Sequence, residues 1–128
     1  MVALPPSLPL VMAGGALGAG ARHLVGRASV VLLGAAYPFG TLFVNVAGGL
    51  AMGILAGLLA RLTVGEAWGL FLGVGVLGGY TTFSSFSHDV VTLAERGQML
   101  TALGYVLLSV IGAILALFAG LLVTRSFA

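Results

Sequence analysis

Residues 78–86 read GGYTTFSSF, a polar, glycine-rich interruption inside an apolar stretch long enough to cross a bilayer. Adjacent glycines lose backbone entropy in a helix, and the short hydroxyl side chains of a Thr-Thr and a Ser-Ser pair compete for backbone hydrogen bonds. The sequence therefore predicts an apolar segment that is helical at both ends, broken at Gly78 and Gly79, with irregular backbone from Gly78 to Thr82 and helix resumed at Phe83. Phe83 and Phe86, three apart, share one face if helix resumes after the break.

Working outward, composition fixes the solvent. Of 128 residues, 60% are hydrophobic and 6% charged, with a mean hydropathy of +1.22. Soluble domains carry about 25% charged residues, so this is an integral, all-α membrane protein, expected as a multi-pass protein of the cell (plasma) membrane. A span of about 20 residues divides the chain into four segments: Leu8–Val25, Pro38–Ala60, Trp68–Leu93 and Met99–Val123. GGYTTFSSF lies at the centre of the third. The connections are short, so consecutive helices are antiparallel neighbours in a single domain covering residues 1–128. The N-terminal stretch has no basic residue before its apolar run and carries Pro5, Pro6 and Pro9. It reads as part of the first helix rather than as a secretory signal.

There is no cysteine, which removes thiolate metal sites and thiol nucleophiles. The formal charge of +2 comes from five scattered arginines, too sparse for a nucleic-acid footprint. Arg61 and Arg125 fall on the side of both termini, and Arg22, Arg27 and Arg96 on the other. So weak a bias permits insertion in both directions, hence an antiparallel homodimer, or one slightly preferred orientation.

Four short helices leave polar central residues facing lipid, which favours oligomerisation. Gly49, Gly53 and Gly57 form a small-residue ridge that continues through Asn45 and Thr41, and Gly112, Ala116 and Gly120 form another, with Gly69 and Gly73 in the third segment. Such ridges more often just let helices approach. Asn45, an amide at membrane depth, reads equally as interhelical glue and as a donor to an anion. Ser109 can satisfy itself on its own helix, with the Tyr105 hydroxyl one turn away. The hydroxyls of Thr82, Ser84 and Ser85 add donors, freed carbonyls at the break suit a cation, and phenylalanine ring edges can meet a small anion.

A small dual-topology, proton-coupled multidrug exporter has similar size but uses a membrane-embedded carboxylate, and Glu66, Asp89 and Glu95 all fall near predicted helix ends. A serine hydrolase built on Ser84 or Ser85 with His88 lacks an elbow motif and an oxyanion hole, so no enzyme is expected; His88 with Asp89 reads as an interfacial helix cap. A purely structural subunit explains the ridges but neither the broken helix nor Asn45.

GTLFVNVAGG at Gly40 to Gly49, GGYTTFSSF at Gly78 to Phe86 and GALGAGAR at Gly15 to Arg22 together resemble the signature blocks of the Fluc (CrcB) fluoride channel family. The resemblance implies a dual-topology antiparallel homodimer of four-helix subunits with two pores that pass fluoride passively out of the cell. By position it implies that Phe83 and Phe86 present ring edges to fluoride, that Asn45 hydrogen-bonds it, and that Ser109 and Tyr105 form the polar side of the fourth helix. It also implies a structural sodium ion at the dimer centre, held by main-chain carbonyls of Gly78 and Thr81 from both copies, and places Arg22 at an aqueous vestibule. His23 and Ala113 depart from the pattern, where an aromatic and a second hydroxyl are common.

Overall fold

The structure, a computed structural model, describes residues 3–127, all of them helix or connection. Helix α1 is Leu8–Leu33, with Pro9 in its first turn where no hydrogen bond is lost. Helix α2 is Phe39–Leu59. Helix α3 runs continuously through Glu66–Trp68, Gly69–Leu77 and Gly78–Tyr80. Helix α4 is Phe83–Glu95 and α5 is Met99–Ser126. With α3 and α4 taken as one interrupted span, four segments are long and apolar enough to cross a membrane.

Three expectations change. Helix α1 does not stop at Val25 but continues to Leu33, because Arg27 is a good helix former and the Ser29 hydroxyl satisfies itself on the Gly26 carbonyl at 2.8 Å. It ends at Gly34, whose φ of 83° is a left-handed conformation open to glycine, with its N–H returned to the Val30 carbonyl. Secondly, within the stretch Gly78–Thr82 expected to be broken, Gly78 and Gly79 are themselves helical and the opening falls at the far end. It lies at Thr81 and Thr82, both extended, with φ/ψ of −79°/157° and −152°/121°. Gly79 is instead a contact residue, since a Cβ there would meet the backbone of Gly15 and Ala19 in α1. Thirdly, the nine residues Gly69–Leu77 wind as a π-helix. Such stretches are rare; here Gly69, Gly73 and Gly75 lack the side chains that would resist a widened turn.

Packing is closest between α2 and α5 and between α1 and α3. A Cβ at Gly53 would overlap the Leu117 carbonyl, and one at Gly120 would press on Leu50 and Ile54. The α2 ridge is thus used inside the subunit, to seat α5, and does not itself speak for oligomerisation. Gly69 and Gly73 touch only leucine side chains of α2, whereas Gly75 and Gly79 make the tight contacts with α1.

Arg61 and Arg125 fall at one end and Arg96 at the other, whereas Arg22, expected at an end, lies near the middle of α1. Arg61 donates to the Arg125 carbonyl at 3.1 Å, while Arg96 lies at the opposite end, beside the α1–α2 connection. The buried apolar core is small: Val44, Phe86, Leu93, Ala102 and Tyr105. Many Leu, Val, Ile and Phe side chains project outward, as expected of helices whose solvent is lipid tails.

Candidate functional site

The break is held by Asn45. Its Nδ2 donates to the Thr82 carbonyl at 3.0 Å, and its Oδ1 accepts the Thr82 N–H at 2.8 Å. A side-chain amide here replaces the helical partners that an extended residue loses, a satisfaction demanded at membrane depth. Asn45 is therefore glue for the break, and its second Nδ2–H is left over as a donor. Next to it, a Cβ on Gly48 would run into the Thr81 methyl group, so the break seats directly on α2.

Thr82 then caps α4, its Oγ1 accepting the Ser85 N–H at 3.1 Å. The hydroxyls of Ser84 and Ser85 lie 3.3 Å and 3.2 Å from the same oxygen. These three hydroxyls form one local cluster, and they divide by position. Thr82 lines two cavities, Ser85 one of them, and Ser84 neither.

The first cavity, of about 390 Å³, is bounded by Asn45, Thr82, Phe83, Phe86 and Ser109 among mostly apolar neighbours. It brings together, from four parts of the chain, five of the eight residues expected on one ion path, while Tyr105, Ser84 and Ser85 do not border it. Phe83 and Phe86 have ring centroids 5.4 Å apart, yet they do not share an environment: Phe86 is 8% exposed and Phe83 77% exposed in the single chain. Ser109 is 5% exposed and its Oγ is buried with no hydrogen-bond partner among the described residues. Its polar neighbour is the Tyr105 hydroxyl one turn away, but no bond of ordinary geometry joins them, so the Ser109 hydroxyl keeps donor capacity for a further partner.

Tyr105, one turn from Ser109, is fully buried, its ring 5.4 Å from that of Phe86. Its hydroxyl donates to Asp89 Oδ2 at 3.1 Å. This corrects the placement of Asp89 at a helix end. It sits inside α4, one turn beyond Phe86 and on the same face, and caps nothing. The spacing Phe86–Asp89 was the available signal. Tyr37, Thr41 and Arg96 also gather near Asp89, around a cavity of about 270 Å³; none of them stands out by residue type alone.

Arg22 lies beside the break. Its Nε donates to the Gly79 carbonyl at 3.1 Å, placing a cation at the C-terminal end of α3 where the helix dipole is negative. It also borders a third cavity, of about 490 Å³, with His23, Arg27, Thr82 and Ser85. No acidic residue lines that cavity. The His23 departure thus puts an imidazole beside Arg22 and Arg27 around this cavity, while Ala113 borders the Phe83–Ser109 cavity.

The carbonyls of Gly78 and Thr81 accept no hydrogen bond among the described residues. Neighbouring carbonyls are engaged: Leu77 by Thr81, Gly79 by Arg22, and Thr82 by Asn45. Two free hard oxygens at the break are a donor set suited to sodium.

These features define a multi-pass membrane protein in which an interrupted span brings two phenylalanine rings to a cavity shared with the Asn45 amide and Ser109 of neighbouring helices. Residues 9–121 match the family described as CrcB-like protein, Camphor Resistance (CrcB), and the chain belongs to that family. A protein of Sphingopyxis alaskensis named fluoride-specific ion channel FluC is 58% identical over 120 residues, covering 93% of this chain and 95% of its own length. Proteins of the same name from Mesorhizobium japonicum (50% identical, 94% and 97% covered) and Caulobacter vibrioides (51% identical, 92% and 94% covered) are similarly related.

Proposed function

We propose that this protein is a fluoride-selective channel of the plasma membrane that releases fluoride passively down its electrochemical gradient, and not an enzyme. The observation that carries this reading is the cavity where Asn45, Phe83, Phe86 and Ser109 meet, with the Ser109 hydroxyl lacking a hydrogen bond of ordinary geometry among the described residues. Fluoride is small and strongly hydrated, so it enters a narrow path only where donors replace water. The Ser109 hydroxyl and the second Asn45 N–H can do so, and ring edges add weak attraction. No lysine or arginine lines that cavity, so nothing in it traps the ion, as conduction requires. The names of the relatives support the same ion. Arg22 and Arg27 would raise anion concentration at the vestibule.

The working unit in this reading is an antiparallel homodimer with two pores. Its support is the outward-facing Phe83 at the edge of an open cavity, which a second copy would enclose, and the near balance of arginines at the two ends. Sodium fits the free carbonyls of Gly78 and Thr81; when bound by both copies at the centre it would neutralise oxygens that lipid cannot satisfy. A reporter fused to the C-terminus should be detectable on both faces of the membrane. Detection on one face alone would exclude the antiparallel pair together with its shared sodium site. Selective fluoride efflux from proteoliposomes tests the function itself.

A further inference from the structure

We propose that Tyr37, in the connection between α1 and α2, forms the mouth of the ion path and is the outermost of its aromatic rings. The proposal rests on the fluoride-channel reading above. Three lines of side chains lead to this point. The aromatic line runs from Phe83 to Phe86 and Tyr105, with successive centroids 5.4 Å apart, and then to Tyr37, whose ring meets Tyr105 edge-on at 5.7 Å. Along α2, Asn45 is followed one turn outward by Thr41, and Thr41 borders the same 270 Å³ cavity as Tyr37. Along α5 and α4, Ser109 is followed one turn outward by Tyr105 and then by Asp89, which borders that cavity too. Amide and hydroxyl donors and ring edges therefore converge where Tyr37 stands.

The ring is fixed in place by its backbone. Pro38, with φ −79° and ψ 59°, makes an inverse γ-turn in which the Phe39 N–H bonds the Tyr37 carbonyl at 2.9 Å. The Phe39 ring packs on Tyr37 at 4.8 Å. Burial raises the Tyr37 phenol above its ordinary pKa, so it stays a neutral donor. Beyond it, the cavity offers Arg96 and Thr92, a cation and a hydroxyl for an anion that has left the rings. The one carboxylate there, Asp89, is engaged by the Tyr105 hydroxyl. The mouth is thus aromatic on its inner side and carries Arg96 on its outer side.

The chain has no cysteine, so Tyr37→Cys provides a single thiol in an otherwise intact protein. In proteoliposomes, Tyr37→Cys should release fluoride, and a bulky methanethiosulfonate reagent applied to both faces should slow release about tenfold or more by obstructing the mouth. Leu100→Cys, strongly exposed near the start of α5 and bordering none of the three cavities, should label equally and leave release unchanged. Full labelling of the Tyr37→Cys variant with unchanged release, or a conducting Tyr37→Cys variant whose thiol the reagent does not reach, would overturn the proposal. Should Tyr37→Cys be silent before labelling, Tyr37→Phe decides: near-parental release supports a role for the ring, and a silent Tyr37→Phe overturns it. A parent protein that releases no fluoride would instead remove the channel reading itself.

Discussion

Asn45→Ala should lower fluoride efflux by at least about tenfold, equivalent to roughly 1.4 kcal/mol in the rate-limiting barrier, and should also lower the thermal stability of the purified protein. Both effects follow from the paired hydrogen bonds to Thr82, at 3.0 Å and 2.8 Å. Alanine leaves a peptide N–H and C=O unpaired at the break. Each orphaned group costs about 1–3 kcal/mol, so the extended Thr81–Thr82 geometry loses about 2–6 kcal/mol relative to alternatives in which the helix closes over it. Thr82 is itself the cap of α4 and Phe83 follows it directly, so the ring would lose its position with the break. Asn45→Asp should be no better, because a carboxylate oxygen facing the Thr82 carbonyl repels it. Efflux and a melting temperature both at the parental level in Asn45→Ala would show that the break does not depend on this amide.

The two phenylalanines should separate into different phenotypes. Phe86→Ala removes a ring that is 8% exposed, in a cluster with Leu93, Ala102 and Tyr105. Truncations of this kind cost about 3–5 kcal/mol in protein cores, with the lower end expected here because lipid supplies no hydrophobic drive. Efflux should fall and the melting temperature should drop by several degrees. Phe83→Ala removes a ring that is 77% exposed in the subunit. Its efflux should fall as deeply while its melting temperature falls far less. Parental efflux in Phe83→Ala would remove that ring from the path, and an unchanged melting temperature in Phe86→Ala would contradict its place in the core.

That divergence marks the limit of the sequence. Both phenylalanines were legible as a functional pair from their spacing, but i, i+3 spacing does not say which ring the α5 helix covers. The number of spans was legible because hydropathy integrates over many residues. The break was legible to within Gly78–Thr82 but not to the residue, since Gly78 and Gly79 carry a strong generic signal against helix while Thr81 and Thr82 carry a weaker one. Close approach to Gly15 uses the missing side chain of Gly79 for packing, and a distant amide at Asn45 decides where the backbone opens. The ridge Gly49–Gly53–Gly57 was visible as a contact surface, but its partner was not, and it proves to be α5 of the same chain. Asp89 was misplaced because a carboxylate near a predicted terminus looks like a cap, whereas the Tyr105 phenol that accounts for it lies on another helix. Tyr37 and the π-wound turns of α3 carry no pattern that local reasoning would single out.

The measurement that bears most directly on the assignment is anion efflux from liposomes containing the purified protein, loaded with equal fluoride and chloride and followed with two ion-selective electrodes after an ionophore relieves the membrane potential. The ring-and-donor path predicts rapid loss of fluoride while chloride is retained. Retention of both ions, or their release at similar rates, would contradict it.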